Sequence, residues 1–295
     1  MERAHSRRRA QVRRRRRVAL LGATGLIAVF AALSFVNSRG GIENPRQWAV
    51  NPHGTKRESV NFQSKAVGRR LTYDVILPRD YEKSQKRPML VLLHGRGASA
   101  TGLSPKALIK AVGEVGPKAP IVVLPYGGEA SYFHNRADGR WADYIMKEVI
   151  PRAAGQFGGD RNRVAVGGMS MGGYGAFNLV RGNRGRFCAL GGHSPALWQT
   201  GGESAAGAFD NAEDFAANDV IAAARNGSPA YEDIPIWIDA GDNDPFQPGI
   251  RAMGSALRAE GADLTAKTWP GDHTYEYWSS HFPSYLKFYT RALAS

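Results

Sequence analysis

From Arg70 onward the chain alternates between short unbroken runs of apolar, often β-branched residues and longer stretches in which apolar side chains return every three or four positions. The short runs predict strands over residues 71–77, 89–94, 121–124, 164–167, 187–191, 234–240 and 264–269. Most of them lack polar alternation, the mark of strands covered on both faces. The stretches between them predict helices over 141–157, 171–181, 212–226, 249–260 and 275–294. In the first of these Ile145, Val149, Ala153 and Phe157 share one face, and Pro151 is placed to kink or divide it. Strands alternating with helices imply crossover connections, hence an α/β fold with a mostly parallel central sheet and helices on both faces.

Outside that alternation the pattern changes twice. Residues 37–68 are rich in Asn, Gly, Pro, Ser and charge and read as a linker, with room for a first edge strand, ahead of a single catalytic domain over 69–295. Residues 194–217, with Gly201, Gly202 and Gly207, form the longest irregular piece inside the domain and predict a lid or pocket wall.

Charge redraws the N-terminus. Residues 1–17 hold nine arginines against the single acid Glu2, so they carry +8 of the formal +13. The remaining +5 is an ordinary solvated surface, and no basic stripe interleaved with aromatics points to nucleic acid. Val18 to Val36 then run without a charge, close to the ~20 residues that span a bilayer as helix. The arginines resist translocation, so the segment at 1–36 predicts an extracytoplasmic domain, either held by a retained anchor or released after signal cleavage. Membrane contact is expected through that segment alone. Hydrophobic residues at 43% and charged residues at 22% suit a globular core. The single cysteine, Cys188, excludes an internal disulfide and reads as a small buried hydrophobe.

The strongest chemical signal is Gly168-x-Ser170-x-Gly172, between a β run at 163–167 and a helical run at 174–180. That is the setting of a nucleophile elbow, in which a serine sits on a cramped strand-to-helix turn and its neighbours two away must be small. A serine hydroxyl needs a base, and imidazole trades a proton near neutrality. His273, between the last strand and the last helix, is the candidate. His281 falls within the last helix, His53 in the linker, and His134 ahead of the serine, whereas His193 follows a strand and could line the pocket.

The acid that orients the imidazole belongs between serine and histidine. Asp239, Asp242 and Asp244 lie there; Asp239 is still inside a strand, Asp244 on the loop beyond it is favoured, and Asp242 is the alternative. Three acids so close also suggest a calcium loop, but its ligand spacing and closing glutamate are missing, so no metal or other cofactor is expected. Asp272 reads as a surface acid. For the oxyanion, the backbone N–H groups of Met171 and Arg96 are the candidates, the second on the Gly95-Arg96-Gly97 loop after the strand at 89–94. His94 reads as a brace for that loop, and the Arg96 side chain as a solvated cation at the edge of the site.

His94-Gly95, Gly168-x-Ser170-x-Gly172, Gly241-x-x-Asp244 and Gly271-x-His273 followed by Trp278 resemble the esterase family that includes esterase D, feruloyl esterases and the antigen 85 mycolyltransferases. The resemblance covers about residues 68–293. It implies one domain of α/β-hydrolase fold on a mixed sheet without a metal, Ser170, Asp244 and His273 as a triad, and Met171 and Arg96 as oxyanion donors. Its members act on esters from simple acetyl groups to cell-wall lipids, so a small-molecule or cell-envelope ester is the implied substrate. The antigen 85 branch uses glutamate as third member, and the aspartates here tilt the expectation toward hydrolysis. Acyl transfer to a sugar or lipid hydroxyl uses the same constellation and stays open, as does a non-catalytic surface-binding module.

Overall fold

The computed structural model describes residues 54–98 and 105–294, all within one compact unit, Asn51–Ser295. The expectations for 1–36 and for His53 lie outside the described residues. Among the described residues no helix is long and apolar enough to cross a membrane.

Eight strands form the central sheet: β1 (Lys56–Gln63), β2 (Arg70–Leu77), β3 (Arg87–Leu93), β4 (Ile121–Pro125), β5 (Gly159–Met169), β6 (Ala189–His193), β7 (Ile236–Gly241) and β8 (Leu264–Trp269). Their order across the sheet is β1-β2-β4-β3-β5-β6-β7-β8. The six from β4 to β8 run parallel, β2 runs against β4, and β1 runs against β2. From β3 the chain crosses back to β4 and then forward to β5, so the order reverses at β3 and β5. In open α/β sheets ligands bind beyond the carboxyl ends of the strands near such a reversal.

Main-chain pairing is what makes β1 a strand. All eight of its residues pair with β2, yet only Phe62 is buried along it, and Arg57 and Ser59 both bond the carboxylate of Asp74 on β2. Residues 56–63 are thus the first edge strand for which the stretch 37–68 left room, on an edge where pairing and one ion pair replace an apolar face.

Helices α1 (Lys106–Val115), α2 (Ile150–Phe157), α3 (Met171–Gly182), α4 (Ala212–Ala217), α5 (Val220–Arg225), α6 (Gln247–Ala259) and α7 (Tyr275–Ala292) pack around the sheet. The helix expected over 141–157 is a composite: a short turn at Trp141–Asp143, a π segment at Tyr144–Val149, then α2. Pro151 has no N–H to give the preceding turn, and the wider π register takes up the mismatch. The helix expected over 212–226 is two helices, because Asp219 accepts the Ala222 N–H and starts a new one where Asn218 ends the last. Cys188 is half-buried ahead of β6, with its Sγ 3.4 Å from the Asn162 carbonyl, rather than enclosed in the core.

Candidate active site

Ser170 follows the last residue of β5 and precedes the first of α3, in a left-handed conformation at φ 53° that L-residues rarely adopt. The turn tolerates no Cβ on either side. One added to Gly168 would lie 2.4 Å from the Gly172 backbone, and one added to Gly172 would lie 2.2 Å from the Leu93 carbonyl oxygen. Strand and helix therefore meet backbone to backbone, and the serine is pushed to the crest of the bend.

His273, on the loop between β8 and α7, places Nε2 2.8 Å from Ser170 Oγ and Nδ1 2.9 Å from Asp244 Oδ2. A buried carboxylate on Nδ1 holds the proton there, so the Nε2 lone pair faces the hydroxyl. The Asp244 side chain is buried, and its second oxygen accepts the Phe246 N–H at 2.8 Å. Asp242 faces elsewhere: its carboxylate accepts the Gly271 N–H at 2.9 Å, which pins the loop carrying His273 without touching the ring. Geometry thus separates the two aspartates that spacing left open. Asp272 is exposed, as read from the sequence.

The loop after β3 lies against the nucleophile, since a Cβ on Gly95 would come within 3.5 Å of Ser170 Cβ. His94 sets its conformation. Nε2 accepts the Gly127 N–H at 2.9 Å, so Nδ1 carries the ring proton and donates it to the Gly95 carbonyl at 2.7 Å. Burial pushes the His94 pKa down to about 4, which keeps the ring neutral and this tautomer fixed. In a trans peptide the carbonyl and the following N–H point opposite ways, so fixing the Gly95 oxygen fixes where the Arg96 N–H points. Met171 is the first residue of α3, where an N–H has no carbonyl of its own helix to reach.

Among the described residues the remaining histidines are held in structural contacts. His134 is buried with Nε2 3.0 Å from Asp214 Oδ2, and His281 lies in α7 with Nδ1 on the Tyr277 carbonyl at 2.7 Å. His193 does not line the pocket: it is fully buried, between Asp239 at 2.7 Å and Tyr289 at 2.9 Å.

Beside His273 stands an aromatic wall of which the sequence motifs mark only Trp278. The Phe246 ring lies 4.9 Å from the imidazole, Trp278 meets it edge-on at 5.1 Å, and Trp198 meets Phe246 at 5.6 Å. Trp198 belongs to the irregular stretch expected over 194–217. That stretch is tied down by Arg96, whose guanidinium donates to the Ala206 carbonyl at 3.0 Å, and by Arg136, which donates to the Gly207 carbonyl at 2.8 Å. The Arg96 side chain is therefore a strut as well as a solvated cation. Among the described residues no group of three or more His, Cys, Asp or Glu is arranged to hold a metal ion.

Comparison with known proteins places this arrangement. The family described as Putative esterase matches residues 64–289. Esterase MT1326 of Mycobacterium tuberculosis is 29% identical over 142 residues, 45% of this chain and 31% of that protein, so the match spans about a third of the relative's length. A solved ferulic acid esterase superposes with a TM-score of 0.72 at 23% identity, over 81% of this chain and 98% of the other. An S-formylglutathione hydrolase from Agrobacterium tumefaciens superposes at 0.68 and 21% identity, over 83% of this chain and 98% of the other. At such identities the two structures establish a shared fold.

Proposed function

The chain belongs to that family of esterases, and from this premise we propose that it hydrolyses carboxylic esters through an acyl intermediate on Ser170, with His273 as base and Asp244 as the acid that orients it. The observation that carries the reading is the unbroken hydrogen-bonded line Ser170–His273–Asp244, at 2.8 and 2.9 Å, on the connections that leave the carboxyl ends of β5, β8 and β7.

In the first half-reaction His273 Nε2 takes the hydroxyl proton as Ser170 Oγ attacks the ester carbonyl carbon. The oxyanion that forms is met by the N–H groups of Met171 and Arg96, and the imidazolium by the Asp244 carboxylate. Collapse breaks the bond to the alkoxy oxygen, which leaves as alcohol with the proton from Nε2. In the second half-reaction a water gives its proton to Nε2 and attacks the acyl carbonyl, and collapse returns the acid and the serine hydroxyl. The oxyanion donors and the Asp244 carboxylate both meet charge that appears as the transition state forms, so their placement acts on kcat rather than on ground-state binding.

An aspartate in third position supports water as acceptor over a sugar or lipid hydroxyl. The substrate is a small-molecule or cell-envelope ester, and the block of arginines followed by the uncharged run 18–36 supports action outside the cytoplasmic membrane, anchored or secreted. A panel of p-nitrophenyl esters of increasing acyl length tests the reading. Turnover is expected in the wild-type chain and a loss of roughly a thousandfold or more in Ser170→Ala with its fold retained. Comparable turnover in the variant would refute it.

A further inference from the structure

Behind the site lies a buried polar cluster that the reaction does not use. Its centre is Asp239 on β7, fully buried, with four donors on one carboxylate. Oδ1 accepts from His193 Nδ1 at 2.7 Å and from Trp237 Nε1 at 2.7 Å; Oδ2 accepts from the hydroxyls of Tyr277 at 2.9 Å and Tyr285 at 2.7 Å. His193 is closed at its other nitrogen by Tyr289 at 2.9 Å. That hydroxyl fills the space above two strand glycines: a Cβ on Gly167 or Gly191 would sit 1.7 or 1.8 Å from it.

A buried carboxylate with four donors is a costly way to fill a core, since apolar packing of the same volume is often as stable. What this one adds is connection, and two of its arms end at the reacting groups. On one side the His193 carbonyl accepts the Ser170 N–H at 3.1 Å, and the Asp239 carbonyl accepts the N–H of Ser194, the next residue, at 2.6 Å. The strained serine is thus hung from the residue whose ring Asp239 grips. On the other side Tyr277 stands four residues after His273, its N–H is capped by Thr274 Oγ1, and its ring packs on Gly271, where a Cβ would lie 2.9 Å from Cδ2. The loop that carries His273 is therefore clamped between Asp242 on the Gly271 N–H and Tyr277 on Asp239.

We propose that Asp239 is a positioning residue which, through His193 to the elbow and through Tyr277 to the loop, fixes the distance between Ser170 Oγ and His273 Nε2. It touches neither substrate nor reacting atoms. The inference rests on Ser170 and His273 being the nucleophile and base. Burial holds the Tyr277 and Tyr285 hydroxyls protonated far above the usual tyrosine range, so both remain donors at any working pH.

Because Asp239→Asn attacks the core as well as the clamp, the test compares two milder variants. Tyr277→Phe and Tyr285→Phe each remove one hydroxyl from the same oxygen, but only the first lies against the His273 loop. For Tyr277→Phe we expect kcat to fall about tenfold at unchanged KM, with the rate of fluorophosphonate labelling falling in parallel, because misplacement of a reacting group costs rate rather than binding. For Tyr285→Phe we expect a lower Tm with kcat within about twofold of wild type. Equal kcat in both variants, whether retained or lost together with Tm, would overturn the proposal and leave the cluster a plain core element. A wild-type chain that neither turns over esters nor takes the label would overturn the Ser170 assignment and this inference with it, so the two failures are told apart by the unmutated protein.

Discussion

Of the three histidine–aspartate pairs among the described residues, the two whose histidines hydrogen-bond Ser170 have opposite fates. His273 meets Asp244 at 2.9 Å and His193 meets Asp239 at 2.7 Å. The difference lies on the second ring nitrogen and in access. His273 turns Nε2 to the Ser170 hydroxyl at 2.8 Å with 18% of its side chain exposed, whereas His193 turns Nε2 to Tyr289 at 2.9 Å with none exposed. Burial pushes the Tyr289 hydroxyl far above its usual pKa, so it stays a donor and the buried pair has no route to a reaction. The carboxylates differ as well. Asp239 is saturated by side-chain donors from three elements, while Asp244 serves His273 and one backbone N–H. On the proposed function, an imidazole backed by a carboxylate is a reagent or a rivet according to what it faces.

Amide substitutions sharpen that contrast. In Asp244→Asn the amide no longer holds the Nδ1 proton, and kcat is expected to fall about a thousandfold with Tm nearly unchanged, as steady-state kinetics and calorimetry would show. Asp239→Asn should invert the pattern, with stability as its largest effect. Loss of the charge that four buried donors address is expected to cost about 3 kcal/mol in urea unfolding, with residual activity well above that of Asp244→Asn. Should both variants lose activity alike while neither loses stability, the distinction between the pairs collapses. Asp242→Asn touches only the Gly271 N–H and keeps an acceptor oxygen, so kcat is expected to drop less than about tenfold. A larger loss than in Asp244→Asn would move the orienting role to Asp242.

The last contrast concerns His94 and pH. Its pKa is lowered to about 4 in the fold against 6.5 in the unfolded chain, so below 6.5 the unfolded chain binds a proton that the folded one refuses. The stability it contributes is complete above 6.5 and is lost as pH falls toward 4. Wild-type Tm should therefore decline over that window by one proton's linkage more than Tm of His94→Gln. Parallel curves would show that His94 is not the buried neutral brace its contacts describe.

Much of this was legible because the relevant forces are local. The apolar run at 89–94 lies in β3, the β-prone run at 264–269 is β8, and the glycines at 168 and 172 announce a backbone contact that the structure contains. Long-range and edge effects were hidden. The strand Lys56–Gln63 has little apolar pattern because it is held by pairing and by Arg57 on Asp74. Helix Lys106–Val115 lies outside the helices predicted from the pattern, although Leu108, Ile109 and Val112 are spaced for one buried face. His193 and Asp239 looked like a pocket residue and a strand acid until the fold joined them across 46 positions to three tyrosines of α7. Of the aromatic wall, Trp278 stands in the motif that carries the resemblance, and Phe246, directly after Pro245 on the Asp244 loop, is a further readable hint.

The central claim is that the hydroxyl of Ser170, and no other, is the nucleophile that His273 activates. Labelling with a fluorophosphonate followed by peptide mass spectrometry tests it most directly. One adduct per chain is expected, on the peptide carrying Ser170, absent in Ser170→Ala and slowed at least a hundredfold or so in His273→Ala. An adduct on a different residue, or an undiminished rate without His273, would contradict the account.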